Sequence, residues 1–115
     1  MRRTYALVQV AMALVNDPRG HHWDYELSKQ TGVRSGVHYP MLTRMLDEGW
    51  VEEGWEDPTT IHDKRPPRRY YELTTKGRLA LGAVVQEAGN NPRFAGVLAA
   101  ARRDPWFARL AEGRT

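Results

Sequence analysis

The segment from Lys64 to Thr74 constrains the fold of this chain more than any other. It opens with a turn in which two prolines stand among four cations, with the sequence KRPPRR. A short aromatic run, YYEL, follows and ends at a threonine that can cap a helix. Prolines mark turns, and aromatic residues favour strands. The segment therefore predicts an exposed basic turn that leads into a β-strand and then directly into a helix.

Positive charge is concentrated around this turn. From Lys64 to Arg78 there are six Lys or Arg residues and one acid, Glu72, whereas the net charge of the whole chain is +3. Just upstream, the segment from Asp47 to Asp57 contains six acids and no Lys or Arg. Cations clustered on a projecting turn suit a polyanion, and for a small basic domain the usual polyanion is nucleic acid.

The length and composition favour one small intracellular domain. With 115 residues, of which 41% are hydrophobic, the chain can bury a modest core. The absence of cysteine excludes disulfide bonds, thiolate zinc sites and cysteine nucleophiles, and it agrees with a cytoplasmic location. The longest apolar run, Tyr5 to Val15, is shorter than the roughly 20 residues that a membrane helix needs. We interpret it as a buried helix and expect no membrane partner.

The first half of the chain carries signals for three helices. The first is predicted from Arg3 to Val15, where apolar residues recur at helical spacing. After a linker from Gly20 to Trp23, Asp24 can cap a second helix, which Gly32 ends. A third helix is predicted from its cap at Ser35 to Glu48. Because a tight glycine-containing turn joins the second and third helices, they predict a helix-turn-helix.

Two strand-like runs follow the third helix, from Trp50 to Trp55 and from Arg69 to Leu73. The roughly twelve residues between them contain the basic turn, so the pair predicts a hairpin with a long basic tip. Thr74 or Thr75 can then cap a fourth helix. Three helices followed by a hairpin predict a mainly α protein with a small β-hairpin (α+β), a winged helix-turn-helix.

The C-terminal part is predicted to be helical and to be broken once. The fourth helix extends from Lys76 to Ala88, and its expected apolar stripe comprises Leu79, Leu81, Val84, Val85 and Ala88. The sequence Gly89-Asn90-Asn91-Pro92 interrupts it, and a last helical region is expected from Arg93 to Ala111. We therefore predict a winged-helix DNA-binding domain over residues 1–75 and a helical region over residues 76–115.

A winged helix predicts specific contacts with double-stranded DNA. The third helix is narrow enough for the major groove, and the hairpin tip reaches neighbouring phosphates. On that helix, Arg44 can contact a phosphate or a guanine edge, Thr43 a base and the Tyr39 hydroxyl a phosphate. The helix start offers free backbone N–H groups. The predicted DNA-binding residues are Ser35, Gly36, Tyr39, Thr43, Arg44, Lys64, Arg65 and Arg68.

Several of these residues also have a purely structural interpretation. Arg44 can pair with Asp47 or Glu48 on its own helix, and Tyr39 can pack beneath the helix. Arg69, at the base of the strand, can pair with Glu53 instead of contacting DNA. These alternatives stay open at the level of sequence.

The sequence contains no recognisable catalytic or metal-binding set. The four histidines are either adjacent in a loop or isolated, and no carboxylate recurs at helical spacing with any of them. His38 lies on the same side of the third helix as Leu42 and Met45, which predicts partial burial. No acid, base and nucleophile converge in a known motif, so we expect no enzyme activity and no cofactor.

In several segments the chain resembles the PadR family of transcriptional regulators. The matching segments, which together cover about residues 27–81, are SGVHYP from Ser35, LTRMLDEGWV from Leu42, Trp55-Glu56, RRYYELT from Arg68 and Gly77-Arg78.

The resemblance implies a homodimeric repressor whose C-terminal helix completes the dimer, with a planar aromatic effector in some members. The dimerisation residues then expected are Leu7, Leu81, Val84, Val85, Phe94 and Leu98. Trp106 and Phe107 could line an effector pocket, although amphipathic packing explains them equally well.

The chain departs from the family pattern in three places. Val37 replaces a small hydroxyl residue, His38 replaces an aliphatic residue, and the long dimer helix is cut at Gly89-Asn90-Asn91-Pro92. The acidic segment from Asp47 to Asp57 and the shortened dimer region leave a second hypothesis open. In that hypothesis the chain is a protein-interaction adaptor that binds DNA only weakly and without sequence preference.

Overall fold

Five α-helices and a three-stranded antiparallel sheet make up the part of the chain that the computed structural model describes, residues 1–103, with side chains through residue 101. The α+β fold class is thereby confirmed. The helices are α1 (Tyr5–Asn16), α2 (Asp24–Thr31), α3 (Ser35–Asp47), α4 (Thr75–Gly89) and α5 (Ala95–Arg103). The strands are β1 (His22–Trp23), β2 (Val51–Trp55) and β3 (Arg69–Leu73). Trp106 and Phe107 lie outside the described residues.

The first helix, α1, is the centre of the hydrophobic core. Its start is capped by Thr4, whose Oγ1 accepts a hydrogen bond from the Leu7 amide at 3.1 Å. From that residue on, almost every side chain of α1 up to Leu14 is buried, because α2, α4 and α5 pack around it. Burial of each Leu or Val side chain stabilises the folded state by about 1.5–3 kcal/mol. One hydrophobic cluster thus includes residues from both sides of the boundary that was predicted at residue 75.

The helix-turn-helix forms as predicted, but its capping residues differ. Gly32 ends α2 in the left-handed conformation, with φ of 70°. Asp24 and Ser35 are each the first residue of a helix, and the cap positions belong to Trp23 and Arg34, whose side chains make no capping bond. The two capping predictions are therefore wrong, and the Asp24 carboxylate instead bonds to a side chain of α3.

The predicted linker before α2 contains a third strand. In β1, His22 pairs with Tyr71 and Trp23 with Tyr70, so β3 is the central strand of the order β1-β3-β2. The His22 imidazole also bonds to the Asp17 carbonyl at 2.7 Å. A two-residue strand is too short to show an alternating pattern, which is why the sequence concealed it.

The hairpin is fixed to the helices on both sides by Thr74. Its amide donates to the Trp50 carbonyl at 3.0 Å, and its hydroxyl donates to the Gly49 carbonyl at 2.6 Å. The same hydroxyl accepts a hydrogen bond from the Gly77 amide at 3.0 Å, so Thr74, and not Thr75, caps α4. Two residues beyond the end of α3, Gly49 adopts the left-handed conformation, with φ of 73°.

The apolar stripe of α4 is narrower than predicted. Gly77, Leu81, Val84 and Ala88 are buried, at spacings of four, three and four residues. Leu79 is 74% exposed, because it lies two residues before Leu81 and so about 200° around the helix. Its assignment to the stripe is therefore wrong. The break after Gly89 is confirmed, with a short 3₁₀ turn at Pro92–Phe94 before α5.

None of the helices in residues 1–103 is both long and apolar enough to cross a membrane.

Candidate nucleic-acid interface

The two faces of α3 have opposite character. The inner face holds His38, Leu42 and Met45, each at most 1% exposed, against the core. The outer face is exposed and carries every residue that was predicted to meet DNA from this helix: Ser35, Gly36, Tyr39, Thr43 and Arg44. The helix therefore presents a polar and aromatic surface to solvent over its whole length.

The start of α3 has open backbone amides. The first intrahelical bonds run from the Val37 and His38 amides to the Arg34 carbonyl, at 2.9 and 2.8 Å. The amides of Ser35 and Gly36 precede them, so they stand at the open end of the helix, where an anion is favoured.

Two alternatives left open for α3 are not seen. Tyr39 is 49% exposed, so it does not pack beneath the helix. Within the described part of the chain, Arg44 makes no ion pair with Asp47 or Glu48. Both side chains are thus accessible from outside.

His38 joins α3 to the start of α2. Its Nε2 lies 3.1 Å from Asp24 Oδ1, and the imidazole is almost completely buried. A ring nitrogen within this distance of a carboxylate acts as the donor. The other nitrogen, Nδ1, is buried and has no hydrogen-bond partner among the described residues. The substitution that departs from the family pattern therefore adds a polar contact under the helix.

The wing consists of β2, β3 and the loop between them, residues 51–73. Glu56 stabilises this loop by hydrogen bonds to two of its residues. Arg65 donates to both oxygens of this carboxylate, at 2.6 and 3.0 Å, and the Arg68 amide donates to Oε1 at 3.3 Å. The hydrogen bonds from Arg65 lower the pKa of Glu56 to about 2. The pair therefore stays charged well into acid, and Arg65 has an internal carboxylate partner.

Arg69 is held among aromatic rings. Its Nη1 lies 3.5 Å from Glu53 Oε2, which is the pairing considered from sequence. Its guanidinium also lies 5.1 Å from the ring centre of Tyr39, 5.2 Å from Tyr71 and 5.7 Å from Trp55. Arg69 thus connects the wing to the outer face of α3 by cation–π contacts.

Lys64 and Arg68 are the exposed cations of the predicted wing set. The Arg68 guanidinium lies 4.4 Å above the ring centre of Tyr25, at the start of α2. Tyr25 could not be singled out from the sequence, because a lone tyrosine in the first turn of a helix carries no spacing signal. Only the fold brings α2 beside the wing.

Tyr71 provides a pH-dependent test of how the wing is anchored. Burial, and next the nearby Asp24 carboxylate, raise the pKa of its phenol above the ordinary value of 10.0. Above that pH the unfolded chain loses the phenolic proton while the folded chain keeps it, so stability must fall as pH rises. We expect this residue to contribute up to about 1.4 kcal/mol of loss per pH unit. Denaturation of wild type and Tyr71→Phe between pH 8 and 11 measures it, and parallel curves would contradict it.

The residues predicted for dimerisation lie in the core of the chain itself. Five of them are buried and Val85 is partly buried, and they pack α1, α4 and α5 together. The five are Leu7, Leu81, Val84, Phe94 and Leu98. In this conformation they leave little surface for a second copy, whereas Leu79 of α4 is open to solvent.

Among the described residues, no cluster of His, Asp and Glu could hold a metal ion.

Comparison with solved structures places this arrangement among known regulators. A PadR-like transcription factor from Bacteroides fragilis is 26% identical, with a TM-score of 0.57 over 73% of this chain and 81% of that one. A PadR-like transcriptional regulator from Bacillus cereus is 28% identical, with a TM-score of 0.53 over 72% and 81%. A PadR family regulator from Clostridium difficile R20291, at 21% identity, shares the fold, with a TM-score of 0.55 over 70% and 84%.

The family assignment rests on the winged helix itself. No protein of curated function matches the chain. The family described as transcriptional regulator PadR-like matches residues 22–83, which is more than half of the chain and includes β1, the helix-turn-helix, the wing and the first part of α4. The chain therefore belongs to the PadR-like family and is a DNA-binding transcriptional regulator with a winged-helix fold.

Proposed function

We propose that this protein is a homodimeric repressor in which each subunit reads one half of a pseudo-palindromic operator. The observation that carries the proposal is the outer face of α3, which is exposed along its length and lies beside the wing. Half-sites are then expected about one helical turn of DNA apart, because two-fold protein symmetry is mirrored in the operator.

The proposed roles of the contacts follow from their chemistry. Arg44 and Thr43 lie where a major-groove helix meets base edges, so they would read sequence. Lys64 and Arg68 on the wing would hold phosphate and set register without reading bases. Tyr39 and the open amides of Ser35 and Gly36 would add phosphate contacts at the start of α3.

The dimer is supported by the family and by one exposed apolar side chain. Leu79 is 74% exposed on α4, where a second copy of the chain would cover it. An interface on this face would be centred on Leu79. A small aromatic effector near Trp106 and Phe107 stays a prediction for the segment beyond the described residues.

Binding of selected DNA at several salt concentrations tests the proposal. Selection from random duplexes should give paired half-sites. Replacing Lys64, Arg65 and Arg68 together with alanine should weaken binding to every sequence and make the salt slope shallower by about 2–3. Replacing Arg44 with alanine should instead relax preference at one base position, at a cost of about 1–3 kcal/mol.

The alternative outcomes are distinct. Binding that is weak, equal for all sequences and accompanied by capture of a protein partner would favour the adaptor hypothesis. The absence of salt-dependent binding at any ionic strength would refute the proposed function altogether. Sedimentation of the free protein at the same concentrations decides whether it is a dimer.

A further inference from the structure

A cleft of about 270 Å³ opens where three elements of the winged helix meet: the start of α2, the first half of α3 and the part of the wing where β2 and β3 join its loop. The sequence did not predict that these elements would enclose a cavity. Its lining consists of Asp24, Tyr25, Tyr39, Trp55, Pro67, Arg68 and Arg69.

Aromatic side chains stand open around this cleft. Tyr25 is 47% exposed and Trp55 is 58% exposed, and Tyr39 is similarly open. These three are half of the six large apolar side chains that are exposed in the described part of the chain. Such rings are costly to leave in water, and grouping them around one concave site indicates a ligand with apolar faces.

The charge of the cleft is close to +1. Two of its charged residues are already engaged: Asp24 accepts a hydrogen bond from His38, and Arg69 faces Glu53 at 3.5 Å. Arg68 is exposed and makes no ion pair with any described carboxylate. Its guanidinium is oriented by the ring of Tyr25 rather than by an acid, so its hydrogen-bond donors stay available.

We infer that this cleft seats one phosphodiester of the bound DNA, with the flanking deoxyribose against the aromatic rings. The ligand class follows from the site: one net positive charge, a planar guanidinium suited to phosphate oxygens, and apolar ring faces suited to sugar C–H groups. The cleft lies between α3 and the wing. With α3 in the major groove and the wing on the neighbouring phosphates, a DNA strand would pass over this cleft.

This inference rests on the proposed function and sharpens it. The sequence treats Arg65 and Arg68 as equivalent wing cations, whereas the structure gives Arg65 to Glu56 and leaves Arg68 open over Tyr25. Arg68 is then the phosphate ligand at the loop end of the wing strands. Tyr25 is a positioning residue that holds the guanidinium in its stacked orientation.

Duplexes with single neutral phosphates test the site directly. The probe is a DNA duplex selected with wild-type protein, in which one phosphate at a time is replaced by methylphosphonate. For wild type we expect about a tenfold loss of affinity at one phosphate, the one that Arg68 contacts. Arg68→Ala should already lack that contact, so the same methylphosphonate should cost it less than twofold. Tyr25→Leu, which removes the stacking ring, should show an intermediate loss.

Lys64→Ala is the matched control, because it removes an exposed wing cation outside the cleft. It should bind more weakly but stay as sensitive as wild type to the phosphate assigned to Arg68. Equal sensitivity of wild type and Arg68→Ala at every phosphate would overturn the inference while leaving the proposed function intact. Failure of the wild type to select any duplex from the random pool would overturn both.

Discussion

Replacing Gly77 with alanine is expected to destabilise this protein by about 3 kcal/mol, at the upper end of overpacking effects. A Cβ at this position would lie 1.8 Å from the carbonyl oxygen of Trp50 and 2.7 Å from its carbonyl carbon. These are backbone atoms at the start of the wing, and the Trp50 carbonyl is bonded to the Thr74 amide. Neither side can move without breaking the cap of α4. Chemical denaturation at one protein concentration measures the loss.

Gly82→Ala provides the matched control on the same helix. Apart from its two neighbours in the chain and the backbone of its own helix, no described heavy atom lies within 4 Å of the Cβ that it would add. Alanine is favoured over glycine in a helix interior, so this variant should gain about 0.5–1 kcal/mol. If Gly77→Ala also raised the free energy of unfolding, helix propensity and not contact with Trp50 would govern position 77.

Replacing His38 with alanine is the second large effect that we expect, also about 3 kcal/mol. The change removes a buried imidazole from beneath α3 and leaves a cavity beside Leu42 and Met45. It also deprives Asp24, whose side chain is 24% exposed, of its hydrogen-bond donor. Thermal and chemical unfolding should both register the loss.

Two further variants separate the packing of His38 from its hydrogen bond. His38→Leu refills the volume and leaves Asp24 to be solvated from its exposed side, so we expect a cost of about 1 kcal/mol. Tyr39→Ala, at the adjacent exposed position, should cost no more than that. A loss in His38→Ala as small as that in Tyr39→Ala would contradict a structural role for the buried imidazole.

The helices and strands of this fold were predictable where a local sequence signal, such as periodicity or a turn residue, determined the structure by itself. The helix-turn-helix followed from helical periodicity and Gly32, and β3 was predicted with its observed bounds because prolines and Thr74 delimit an aromatic run. Leu79 was assigned wrongly, because it was placed in the apolar stripe of α4 for its hydrophobicity alone. Its angle around the helix puts it on the opposite side. For β1, two residues are too few for periodicity.

The candidate site shows where prediction from sequence ends. The exposed side of α3 followed from its helical phase, which also placed His38 inward beside Leu42. The unequal status of Arg65 and Arg68 did not follow, because it depends on which acid lies across the hairpin and on Tyr25 from another element. Charge counts along a chain cannot distinguish a cation held by Glu56 from one that is free.

The central position of β3 has a mechanical consequence. This strand is bonded to β1 on one side and β2 on the other, and Thr74 at its end is tied to Gly49 and Trp50. We therefore expect the wing and the helix-turn-helix to move as one unit, so that little conformational freedom is lost when both bind DNA. In the proposed dimer, any adjustment to the distance between the two winged helices would have to come from beyond α4, where the helix is interrupted before Pro92–Phe94.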